Sequence, residues 1–174
     1  MNPPGAVKPK GHVLAVDDCP TTRELLRASL EHYGYAVQAV DSGWAALEAV
    51  EHADFDAVIL DVEMPGLDGM AVGRALRRAA RTAEALIAMH SSVDEAAVRA
   101  GFSGYDAFLP KPGSPLALGA QVDRLLSSRR GAGDPAAVGG RQGGRHGGGR
   151  PAAGPRLRRR AEPGGRRRAG AARS

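Results

Sequence analysis

Residues 57–61, AVILD, are four apolar side chains in a row followed by an aspartate. A short run without alternation reads as a strand covered on both faces, the kind found inside a parallel sheet. Its neighbours downstream, VEMPGLDG at 62–69, read as a loop. Pro65 and Gly66 fit a tight turn, and Gly69 allows close backbone approach. Asp68 is then a natural N-cap for a helix through about Ala80.

The same alternation extends in both directions. Upstream lie HVLAV at 12–16, a run at 35–40, and Ser42 as the N-cap of a helix to about His52. Between the two runs, Pro20 precedes a helix whose expected start is a capping box of Thr21 with Glu24. Leu26, Leu30 and Tyr33 share one face of that helix, and Gly34 fits its stop. Downstream come a strand at 86–89, a capping box of Ser92 with Glu95, and a strand at 107–109. Ser114 and Pro115 then open a last helix with Leu118, Val122, Leu125 and Leu126 on its apolar face. Five strands alternating with five helices predict a doubly wound α/β fold with a parallel sheet.

Charge divides the chain more sharply than length does. Residues 1–127 carry 11 Lys/Arg against 17 Asp/Glu, whereas 128–174 carry 13 Arg against only Asp134 and Glu162. The pI near 10.0 therefore describes the tail, and the body is acidic. Three segments are expected: a flexible lead at 1–10, a single domain at 11–127, and a disordered Gly/Arg-rich tail at 128–174 too poor in large apolar residues to fold. Its arginine clusters (158–160 and 166–168) offer salt-sensitive, non-specific attraction to nucleic acid or anionic surfaces; a solvated linker or a non-native extension is the competing reading. No apolar run approaches the ~20 residues of a membrane span. The first twelve residues lack the apolar stretch of a secretory signal, and Cys19 is the single cysteine. These features suit a reducing cytoplasm.

Sites on such sheets form beyond the carboxyl ends of the strands, where strand order reverses. Asp17 and Asp18 follow the first strand, Asp61 ends the third and Lys111 follows the fifth. In the flavodoxin-like order 2-1-3-4-5 the first and third strands are neighbours, so the three acids meet. Crowded carboxylates call for a hard cation, and Mg²⁺ suits an all-oxygen site. With a lysine and a carboxylate nucleophile added, the set fits phosphoryl transfer. Each piece alone is ordinary, an Asp-Asp cap, a strand-ending Asp and a surface Lys. Their coincidence at one sheet edge carries the reading.

The segments VLAVDD, VILDVEMPGLDG and FLPKP resemble the signature segments of bacterial two-component response-regulator receiver domains, over roughly residues 11–127. The resemblance implies that Asp61 is phosphorylated by a histidine kinase or a histidine phosphotransfer protein. It implies Mg²⁺ held by Asp18 and Asp61, with Asp17 assisting through water and the Glu63 backbone carbonyl completing the set. Lys111 would pair with Asp61 and then with the phosphoryl group, Phe108 would be the switch aromatic, and Lys111–Pro112 a cis peptide. A switch hydroxyl is expected after the fourth strand. Counting from LIAM puts His90 there, a shift by one puts Ser91 there, and the hydroxyl chemistry favours Ser91. Trp44 is expected to be partly buried. Cys19 is expected to be a small filler whose pKa the adjacent acids raise.

The expected activity is a signalling switch that catalyses only its own phosphorylation and dephosphorylation, with output through protein contacts. It would be a stand-alone protein or the receiver of a hybrid kinase. An aspartate-nucleophile phosphohydrolase is the alternative; DVEMP places Glu63 and Met64 where that class has Asp and Thr or Val. A nucleotide or flavin carrier fits poorly, because DDCPTT lacks GxGxxG and its acids repel phosphate.

Overall fold

The computed structural model describes residues 8–132. Its strands are β1 (His12–Val16), β2 (Ala36–Val40), β3 (Ala57–Asp61), β4 (Leu86–Ser91) and β5 (Ala107–Pro110). The helices between and after them are α1 (Pro20–His32), α2 (Gly43–His52), α3 (Gly69–Arg78), α4 (Glu95–Gly101) and α5 (Pro115–Ala132). All pairings are parallel, in the order β2-β1-β3-β4-β5. The strand order reverses at β1, so a crevice opens between the carboxyl ends of β1 and β3.

Alternation along the strands sorts the core into two layers. Leu14, Val16, Val58, Leu60, Ile87 and Met89 pack with Ala46, Val50, Val72, Leu76 and Val98 of α2, α3 and α4. Val13, Ala15, Ala57, Ile59, Leu86, Ala88 and Leu109 pack with Leu26, Leu30, Leu118, Val122 and Leu126 of α1 and α5. Each fully buried Val, Leu or Ile contributes about 1.5–3 kcal/mol relative to exposure. Register therefore matters: a one-residue slip would drive the acids at the strand ends into an apolar layer.

Most helix boundaries follow from local chemistry. Ser42 accepts from the Ala45 amide at 3.3 Å and Asp68 from the Ala71 amide at 2.7 Å, as expected of N-caps. At the end of α1, Gly34 (φ 88°) donates to the Glu31 carbonyl and Tyr35 to the Leu30 carbonyl. That is the paired closure of a Schellman motif, which needs a left-handed residue.

Four readings are corrected. Helix α1 begins at Pro20 with Cys19 as N-cap and no side-chain cap bond, so Thr21 and Glu24 form no capping box. Helix α4 is capped by Asp94, which accepts from the Ala96 amide at 2.8 Å; Ser92 instead donates to the Glu63 carboxylate. Trp44 is 68% exposed, because it lies on the solvent side of α2. Helix α5 runs on to Ala132, since Arg129 and Arg130 find acceptors in the Glu84 carbonyl, Asp106 and Asp56. The remainder of the predicted tail, residues 133–174, lies outside the described residues.

Arg77 ties the far end of the sheet together. Its guanidinium donates to the carbonyls of Gly104 (2.6 Å), Ala83 (3.1 Å) and Ala85 (2.6 Å) and pairs with Asp106. Asp106 in turn accepts from the Ile87 amide at 2.8 Å. Helix α4 is held more lightly. Val98 is its one buried residue, and Arg74 donates to the Gly101 carbonyl at 2.7 Å.

Candidate functional site

The acids gather where strand order reverses. Asp17, directly after β1, is fully buried, and Asp61, the last residue of β3, is 2% exposed. Together with exposed Asp18 they present carboxylate oxygens all within 4.8 Å of one another. Lys111 enters from the end of β5: its ammonium lies 2.8 Å from Asp17 Oδ2 and 3.1 Å from Asp61 Oδ1. Its amide donates to the Ser91 carbonyl, and the Lys111–Pro112 peptide is cis, as expected.

The backbone turns support this arrangement. The Cys19 amide donates to Asp17 Oδ1 at 2.9 Å and the Glu63 amide to Asp61 Oδ1 at 3.1 Å. Arg23 donates to the carbonyls of Asp17 (2.7 Å) and Asp18 (3.0 Å), fastening the acidic turn to α1. Nothing in the sequence flagged Arg23 except its position one helical turn past Cys19. Gly69 lies so close to the Asp61 carbonyl that a Cβ would overlap it.

Three carboxylates face one ammonium, a deficit of positive charge. Burial dominates at Asp61 and raises its pKa above the ordinary carboxylate range, with the Lys111 charge pulling the other way. Burial alone would lower the Lys111 pKa, but its bonds to Asp17 and Asp61 outweigh that and raise it. A hard divalent cation fits this donor set: all ligands are carboxylate oxygens, two are buried, and their shared charge is only partly offset.

Strand pairing addresses the position after LIAM. His90 pairs with Asp61, and residues opposite each other in a parallel sheet project to the same side. His90 Nδ1 lies 3.9 Å from Asp17 Oδ2. Ser91 projects to the opposite layer, and its hydroxyl accepts from the Val93 amide at 2.9 Å. The expectation favouring Ser91 thus meets a geometric obstacle: it is His90 that borders the carboxylates. Burial, followed by the Lys111 charge, lowers the His90 pKa to about 4.

Phe108 pairs with Met89 and packs, partly buried, against the α2–α4 layer. Cys19 differs from expectation. It is exposed, and hydrogen bonding with Thr22 lowers its thiol pKa, outweighing the opposing charge of Asp17. A cavity of about 420 Å³ opens beside the cluster, lined by Thr22, Leu26, His90, Lys111, Pro112 and Leu118.

The acidic cluster with its lysine occurs within a segment, residues 13–123, that matches the response regulator receiver domain family. The chain belongs to that family. It is 42% identical over 116 residues to response regulator MprA of Mycobacterium leprae, covering 66% of this chain and 50% of that protein. It is 39% identical over 120 residues to transcriptional activator protein PfeR of Pseudomonas aeruginosa, covering 68% and 38%. The chain thus spans half or less of the length of these two curated relatives. Among solved structures it is similar to response regulator protein TrrA of Thermotoga maritima in complex with Mg²⁺-BeF. That match has a TM-score of 0.59 and 30% identity, over 66% of this chain and 97% of that one. Among the described residues of this receiver domain, no helix is long and apolar enough to cross a membrane.

Proposed function

We propose that this receiver domain is a phosphorelay switch in which Asp61 accepts a phosphoryl group from a phosphohistidine on a histidine kinase or a phosphotransfer protein. The observation that carries this reading is the placement of a buried Asp61 carboxylate against Lys111 and the Asp17–Asp18 pair. In the transfer, an Asp61 oxygen attacks phosphorus as the nitrogen–phosphorus bond breaks. The donor imidazole leaves with the electron pair and takes up a proton.

Asp17, Asp18 and Asp61, with the Glu63 backbone carbonyl, would hold Mg²⁺, as a metal-bearing relative of similar fold suggests. The cation supplies charge neutralisation for the incoming phosphoryl oxygens. Lys111 neutralises a further oxygen and, in exchanging carboxylate for phosphoryl contacts, ties β5 to the state of Asp61. Phe108, in the same strand, would carry that change toward the α4–β5–α5 face, where a protein partner reads it. Catalysis is confined to the domain's own phosphorylation and dephosphorylation, in the cytoplasm.

The test is incubation with acetyl phosphate and Mg²⁺, followed by intact mass of wild type and Asp61→Asn. Wild type should gain one phosphoryl group that is lost in base, and the variant none. Equal labelling of both proteins, or no labelling of wild type, would refute the assignment.

A further inference from the structure

The Lys111 ammonium lies between two carboxylate oxygens, 2.8 Å from Asp17 Oδ2 and 3.1 Å from Asp61 Oδ1, so the sheet edge already contains a built position for a cation. A further polar atom faces the same Asp17 oxygen. Nδ1 of His90 lies 3.9 Å from it and, among the described residues, is the one buried side-chain nitrogen or oxygen without a hydrogen-bond partner. The residue is 6% exposed, and its pairing with Asp61 holds it on the acids' side of the sheet. A gap of 3.9 Å is too long for a hydrogen bond. It does fall within the span of two metal bonds, which together reach about 4.2 Å when a nitrogen and an oxygen share one zinc ion.

We propose that Asp17, Asp61 and His90 form a second cation position, which takes a nitrogen-seeking divalent transition metal such as zinc in place of the Lys111 ammonium. The ion would be held by Asp17 Oδ2, Asp61 Oδ1 and the Nδ1 lone pair of His90, with the ring proton on Nε2 and water completing the shell. Imidazole suits zinc, nickel and copper, whereas carboxylate and water suit Mg²⁺, which has no need of the ring. His90 thereby divides the cluster between two classes of ion. The hard ion sits with exposed Asp18 on the open side, and the nitrogen-seeking ion sits with His90 on the buried side. Lys111 can give way: its side chain is 23% exposed on a flexible stem, and it borders a cavity of about 420 Å³ that leaves room for the ammonium to swing out. Charge favours the exchange, since three carboxylates stand against a single ammonium.

The test uses the full chain labelled with ¹⁵N at histidine and Zn²⁺ as the probe, the His90 signals being identified by their absence in His90→Phe or His90→Gln. One equivalent of Zn²⁺ should move the His90 Nδ1 resonance into the metal-bound range, and millimolar Mg²⁺ should leave it in place. Zinc affinity, read by competition with a coloured chelator, should fall about tenfold or more in His90→Phe and in Asp17→Asn, as loss of a metal ligand requires. It should rise about tenfold in Lys111→Met, which removes the competing positive charge. Zinc bound only adventitiously, at exposed histidines or Cys19, would leave His90 Nδ1 unmoved and give wild type and His90→Phe equal affinity; either result overturns the proposal. Weaker zinc binding in Lys111→Met overturns the exchange with the ammonium, and an Nδ1 resonance moved as far by Mg²⁺ overturns the division between ions. No phosphodonor is present in any arm, so these outcomes are separate from the reading of Asp61 as phosphoacceptor.

Discussion

Gly69 lies directly against the backbone of Asp61, with no space for a side chain between them. A Cβ at position 69 would overlap the Asp61 carbonyl oxygen, and Gly69 donates its own amide to the Val62 carbonyl at 3.1 Å. The first turn of α3 and the end of β3 are thereby locked at one separation. Gly69→Ala must push α3 away from the acid. We expect a loss of about 2–3 kcal/mol, the upper part of the range for overpacking. Urea unfolding should show a lower midpoint at unchanged slope, and phosphoryl uptake should fall with it.

Lys111 separates two buried carboxylates, and removing it exposes their repulsion. Lys111→Met should cost about 3 kcal/mol in EDTA, the low end for breaking a buried pair, because the lysine side chain is 23% exposed. Millimolar Mg²⁺ should raise the melting temperature of this variant more than that of wild type. Calorimetry with and without the cation checks both halves.

Burial raises the Asp61 pKa in the folded protein, so the native state binds that proton more tightly than the unfolded chain. The stability this group provides is complete below the ordinary Asp value of about 3.9 and is lost as pH rises through the raised folded value. Asp61→Asn should therefore be more stable than wild type at pH 7 in EDTA, and the advantage should vanish as pH falls toward about 4. His90 acts in the opposite direction. Its value, ordinarily about 6.5, is lowered to about 4, so stability drains away as pH falls through that window. That contribution is common to both proteins and largely cancels in the comparison, which urea titrations at several pH values can make.

Arg77 satisfies three carbonyls and one carboxylate at the end of the sheet remote from the acids. Arg77→Met should leave the three carbonyls without this donor, while Asp106 keeps the Ile87 amide and Arg129, and cost about 2–4 kcal/mol. Phosphorylation of the folded fraction should be unaffected, a separation that denaturant curves combined with intact mass can resolve.

The sheet and the acidic cluster were legible because both rest on local pattern. Short apolar runs such as AVIL can be buried only on both faces, and residues at strand ends meet once strand order is known. What escaped depends on tertiary geometry. Thr21 and Glu24 have the spacing of a capping box, but Pro20 already begins the helix with a preset φ. Ser92 has the same spacing with Glu95, yet Asp94 caps better and Ser92 is drawn to Glu63, far away in sequence. His90 and Ser91 differ by one position, which in a strand means opposite faces, and only the pairing with Asp61 separates them. Arg23 and Arg77 act through carbonyls, which leave no mark in side-chain patterns.

Helix α4 is seven residues long and sends a single side chain, Val98, into the interior. A helix of fewer than two turns cannot persist by itself, so its shape is lent by that one anchor, by the Asp94 cap and by the strap from Arg74. Lifting Val98 would remove most of what keeps the segment coiled, and amide exchange there should run far faster than in α1 or α5. A molecule resting on this part of the surface would feel a catch that is either fastened or undone.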